Sequence, residues 1–244
     1  MAERIVRGWK VSLQKLAELV GSQCLTAREI LTSELNSPCL EDVLMTLGEG
    51  DAEDGTQIAE GALTAILAGK LEHEAAYDYA RVIEPLLNRV AIPLGNTEGD
   101  QILLQLTYYF PNDSHGRWNP VLQACNLPKL AVAWAAPNVD FPWTGSAGPD
   151  REDYPWPVWT CFDVSMLPEL AAELGRVTKQ QIDALSVEIL VEDRESVDDC
   201  RNELWQGLQR LRGWIDRAQA PQEAEGVAWT KTGNVLMLVM DGDQ

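Results

Sequence analysis

The side chains able to do chemistry in this chain are two histidines, five cysteines and a surplus of carboxylates. His73 lies in KLEHEAAYDY between Glu72 and Glu74, where it reads as a solvated histidine on an acidic helix face. Neither it nor His115 has a neighbour in sequence that would make it a general base. Gly145-Ser146-Ala147-Gly148 lacks the G-x-S-x-G spacing, and it sits in loop chemistry without the strand-to-helix turn that exposes a nucleophile. There is no G-x-x-x-x-G-K-[ST] and no H-E-x-x-H. Cys24, Cys39, Cys125, Cys161 and Cys200 are odd in number and widely spaced, with no C-x-x-C. They read as reduced thiols packed like small apolar residues, not as a zinc or redox site. Residues 48–55, GEGDAEDG, read as a polar loop and offer four acids, but an EF-hand register with Gly55 at the sixth position puts Gly50, Ala52 and Gly61 at the first, third and twelfth. Carboxylate pairs for glycoside chemistry come from separate elements and leave no spacing to read. No catalytic residue, cofactor or metal is assigned.

What remains is the charge itself. The 244 residues carry 38 Asp and Glu against 19 Lys and Arg, a formal net charge of −19. That balance excludes a phosphate-binding surface of clustered cations and argues against adhesion to an anionic membrane. It is also uneven. Residues 29–69 hold nine acids and no Lys or Arg, and a second block at 188–199 is interrupted only by Arg194. Glu49, Asp51, Glu53 and Asp54 in the first block, and Glu192 and Asp193 in the second, are candidate contacts for a basic partner, with simple solubility as the alternative reading. A third candidate surface is the Pro- and Trp-rich stretch at about 137–157. There Trp143, Tyr154 and Trp156 are rimmed by Asp150, Glu152 and Asp153, large aromatic anchors beside carboxylates. The alternative is that these aromatics fill a core.

At 45% hydrophobic and 23% charged, the chain has the composition of a folded soluble domain, long enough to build a core without disulfides. MAERIVRGWKVS has no apolar run resembling a secretion signal, and VLMLVM at 235–240 is too short to cross a bilayer, so a cytoplasmic protein is expected. The spacing predicts a strand over 4–11 and a helix from Leu13 capped by Ser12 and closed by Gly21. Thr26 and Glu29 stand at capping-box spacing, and Ser37-Pro38 at a helix start. Ile58, Leu63, Ile66 and Leu67 form a stripe closed by Gly69. QILLQLTYYF at 101–110 has the length of a helix or of a strand, with helix preferred. Residues 157–162 predict a strand, Asp163 or Ser165 a cap, and Thr178 the start of a further segment. Val197, Cys200, Leu204, Leu208, Leu211 and Ile215 fall three or four apart, the clearest helical face in the chain. Val227–Lys231 and Val235–Met240 flank a turn and read as a hairpin. No repeat recurs. The expectation is a single α+β domain over 1–244, mostly helical. One small antiparallel sheet joins the N-terminal strand, a strand near residue 160 and the C-terminal hairpin, with helices on one of its faces.

The opening strand and leucine-rich helix (RIVRGWKVSLQKLAELVG), the later P-W-P-V-W strand before a capped helix, and the closing LQRLRGWIDRA and VLMLVM resemble the YfbM-like family of uncharacterised small bacterial proteins. The resemblance implies an α+β fold with the termini paired in one sheet. It supplies no activity and no site residues.

The reading that follows is a non-enzymatic acidic interaction protein that binds a basic protein partner, as an immunity protein neutralising a basic bacterial toxin does. The alternative is a ligand-binding protein, or an enzyme working through carboxylates, with the Trp-rich middle as its pocket. Neither reading involves nucleic acid or a membrane.

Overall fold

In the computed structural model the described residues are 4–35, 44–45, 47–72, 75, 78–79, 81–84, 87, 91–94, 102–104, 118–135, 158–186, 197–220 and 234–241. Among them the chain is mostly helical with a small antiparallel sheet, an α+β arrangement. Strand β1 (Arg4–Val11) leads into α1 (Leu13–Ala17), α2 (Leu25–Leu35) and α3 (Ala52–Ala68). Two short strands follow, β2 (Ile92–Pro93) and β3 (Ile102–Leu104). Helices α4 (Trp118–Ala124) and α5 (Pro128–Ala135) precede β4 (Val158–Phe162). Helices α6 (Leu167–Leu174), α7 (Lys179–Asp183) and α8 (Val197–Gln219) lead to β5 (Asn234–Asp241).

The sheet is built around its two terminal strands. All eight residues of β1 pair antiparallel with β5, from Arg4 opposite Asp241 to Val11 opposite Asn234. Strand β4 pairs with the other edge of β5, Val158 opposite Val239 to Phe162 opposite Val235. The free edge of β1 takes β3 at Arg4–Val6 and β2 at Trp9–Lys10. Pro93 is tolerated in β2 because a two-residue strand at the sheet margin needs few ladder bonds, and Leu94 N–H continues the pairing by donating to Gly8 C=O at 2.8 Å. The segment 102–104 is therefore strand, not helix. Its three apolar residues carry no period of their own, and pairing with β1 decides their conformation. The first arm of the expected C-terminal hairpin, 227–231, lies outside the described residues, and its second arm, β5, is bonded along both edges.

Side chains alternate across a strand, so one strand can serve two cores. Trp9 and Val11 point to one face, where Leu16, Leu19, Leu63, Ile66, Val82, Ile83 and Leu87 bury them. Gly8 and Phe162 point to the other, with Leu130, Leu170, Leu174, Leu204, Leu208 and Trp214. Register agrees: Trp9, Leu236 and Cys161 share a row, and Cys161 packs with the first cluster, whereas Lys10, Val235 and Phe162 share the next. Helices thus cover both faces, not one. The N-terminal helices make one layer and α4 to α8 the other. The sequence pattern hid this because Gly8 and Lys10 imitate a solvent face. Gly8 is bare because the Trp214 ring lies on it, and Lys10 is 8% exposed, its aliphatic stem buried.

Local signals explain some helix ends. Gly69 closes α3 in the left-handed conformation (φ 67), with its N–H on Ala65 and Ile66 carbonyls. Gly21 N–H and Gln23 N–H donate to the carbonyls of Ile66 and Leu67, so the turn after α1 satisfies the same helix end. Thr178 caps α7 in a full capping box with Gln181. Thr26 lies inside α2 and forms no box, since the helix already starts at Leu25. Neither Asp163 nor Ser165 caps α6; Met166 holds that position without a side-chain bond. The start of α5 is held from another helix. The buried Glu173 carboxylate on α6 accepts from the N–H groups of Lys129 and Leu130 at 3.0–3.1 Å. The signal for it was available, because residue 173 falls on the same stripe as Leu167, Leu170 and Leu174. The guanidinium of Arg217 donates to Leu94 C=O and fastens the end of α8 to the strand edge.

A Cβ on Gly8 would stand 2.7 Å from two Trp214 ring carbons, and that ring has no exposed surface on which to retreat. Gly8→Ala is expected to lower the unfolding free energy by about 1–3 kcal/mol, the usual cost of overpacking. Urea denaturation followed by tryptophan fluorescence measures it, and an unchanged midpoint would remove Trp214 from this face.

Candidate functional site

The described part of the acidic candidate surface is a tight corner leading into α3. Residues 44–55 carry Gly at 48, 50 and 55, and two of these are there because the backbone crosses itself. Gly48 N–H donates to Leu44 C=O at 2.9 Å, Gly50 N–H to Met45 C=O at 2.8 Å and Asp51 N–H to Gly48 C=O at 3.0 Å. Glu49 and Gly50 take positive φ, 50° and 103°. A Cβ at Gly55 would come within 1.8 Å of Leu44 O, and one at Gly48 within 1.8 Å of Asp51 O. The loop proper ends at Asp51, and α3 starts at Ala52, earlier than the polar composition of 48–55 implies. Asp51 is the cap: extended at φ −120, ψ 113, its Oδ1 accepts from Glu53 N–H at 2.8 Å and Asp54 N–H at 3.2 Å.

That geometry divides the four acids by role. One Asp51 oxygen is occupied by the helix it starts. Glu53 and Asp54 occupy the first turn, where the helix dipole favours negative charge, and Glu49 projects from the left-handed corner. All four side chains are exposed, as is Glu60 two turns along. Met45, 39% exposed, adds apolar surface at the corner. The cations lie towards the far end of α3, where the Arg28 guanidinium reaches Thr64 Oγ1 at 3.4 Å and Lys70 is exposed. The helix therefore presents a negative end and a less negative one.

The other sequence candidates are not brought into this surface. Trp143, Asp150, Glu152, Asp153, Tyr154 and Trp156 lie outside the described residues, and so do Glu192 and Asp193. From the second acidic block, Asp198 and Asp199 stand in the first turn of α8, the same dipole-favoured position as Glu53 and Asp54.

Sequence reasoning missed one charged feature altogether, a part-buried ion pair between sheet and helix. The Arg7 guanidinium on β1 meets the Glu84 carboxylate, and Glu84 and Arg81 are both about 96% covered in the N-terminal layer. Among the described residues, Glu84 Oε2 and Arg7 Nε are buried without a hydrogen-bond partner. The signal was weak: Arg81 and Glu84 bracket the apolar Val82 and Ile83 but look like an exposed i,i+3 pair. Asp78, further up this segment, has its carboxyl raised above the ordinary 3.8 by burial.

Two of the described thiols are held out of solvent. Burial pushes Cys125 up to about 12, which keeps it protonated at neutral pH, and Cys200 is buried. Among the described residues no group of three or more His, Cys, Asp and Glu is placed to hold a metal, and no helix is long and apolar enough to cross a membrane. The corner presents oriented, solvated negative charge. Comparison of the chain with protein-family models, curated proteins and solved structures finds no match.

Two outcomes follow from the corner geometry. Gly55→Ala is expected to destabilise by several kcal/mol, about 3 or more, because backbone must move, whereas Gly61→Ala, exposed in the same helix with nothing within 4 Å of its Cβ, is expected to stabilise by about 0.5–1 kcal/mol. Thermal unfolding of both variants checks this, and equal effects would contradict the crossing. Separately, hydrogen bonds from the Ser165 hydroxyl and N–H hold the Asp163 carboxyl below 3.8. An acid depressed in the folded state adds stability above its unfolded value, and that contribution is lost as pH falls through the folded one. Carboxyl NMR is expected to show Asp163 titrating below 3.8 in the wild type and moving up in Ser165→Ala; an unmoved titration would contradict the bond.

Proposed function

We propose that this chain is a non-enzymatic acidic interaction protein that binds a basic protein partner, and that the partner is a bacterial toxin which it neutralises as an immunity protein. The observation that carries the reading is the corner before α3. Glu49, Glu53, Asp54 and Glu60 are exposed on one hydrogen-bonded turn and the helix it starts, in a 41-residue stretch, 29–69, without a single Lys or Arg. A field of one sign over a defined surface speeds encounter with an oppositely charged protein and disfavours like-charged competitors. The exposed Met45 at the same corner supplies apolar area that a purely solubilising surface does not need.

The experiment is an association measurement between the purified chain and a basic protein encoded beside its gene, at about 50 mM and about 300 mM salt, either side of the ionic strength where exposed charges are screened. Binding is expected at the lower salt, weakening at the higher. The variant Glu49→Gln/Glu53→Gln/Glu60→Gln, which leaves the Asp51 cap in place, is expected to associate about tenfold more slowly. Absence of association at low salt, or an unaltered rate for the variant, would overturn the proposal.

A further inference from the structure

We draw no further inference here: the strongest candidate, the outer edge of β4 with the exposed apolar Val132 of α5 and Val164 just beyond the strand, is a surface for which nothing among the described residues shows what covers it.

Discussion

The pairing of the first strand with the last is the constraint on which the rest of the structure depends. β1 and β5 are hydrogen-bonded over their whole length and lie at the middle of the sheet, with β4 outside one and β2 and β3 outside the other. The described helices between them in sequence are divided by this ribbon. The helices before β2 pack on the face carrying Trp9 and Val11, and those from α4 to α8 on the face of Gly8 and Phe162. Each layer buries its apolar side against the sheet: Trp9 of β1 is fully buried in one core, and Gly8 of β1 lies under the Trp214 ring of the other, beside Phe162 of β4. Closing a loop of more than two hundred residues to make that ladder costs little more than closing one of fifty, since the entropy grows with the logarithm of length. It does place the central contact late and far in sequence, a topology that slows folding.

The charges follow from the same arrangement. A chain of net charge −19 must keep its acids apart and hydrated, and helix N-termini are favourable places for them. Asp51, Glu53 and Asp54 at α3, Glu169 at α6 and Asp198 and Asp199 at α8 all sit there. The two buried carboxylates among the described residues each meet donors. Glu173 takes two backbone N–H groups at the start of α5, and Glu84 takes the Arg7 guanidinium. Removing one partner of such a contact leaves a desolvated charge, so each contact ties its two elements to one another. The acidic corner proposed as a binding surface is thus also a sound helix start, and its functional role rests on what Glu49, Glu60 and Met45 add to the cap.

Much of the fold was legible where a signal is local. Gly69 was readable as a left-handed helix end, Thr178 as a helix start, and the stripe from Val197 to Ile215 as one face of a long helix; Gly21 is left-handed as expected but stands in the turn after α1, which ends at Ala17. Each follows from the residue's own conformational preference or from the helical period. Three features resisted. Residues 102–104 are apolar without a period, and their pairing with β1 is a tertiary fact. Asp51 lay in a run of glycines and acids that looks like loop, although the cap needs only one carboxylate two residues from a free N–H. The second layer was hidden because Gly8 and Lys10 occupy positions that, on a one-sided sheet, would face water. Of the candidate site, the four acids at the corner were found from composition, whereas the part-buried Arg7–Glu84 pair gave no pattern distinguishable from an exposed one.

Native-state amide hydrogen exchange tests the central role of the terminal ribbon most directly. If β1 and β5 hold the two layers together, the amides of Trp9, Val11, Leu236 and Leu238 that bond across the ladder exchange only with global unfolding, at least as slowly as those in the middle of α8 near Leu208. Exchange of those ladder amides while the centre of α8 stays protected would mean that the layers persist without the ribbon, and would contradict the account.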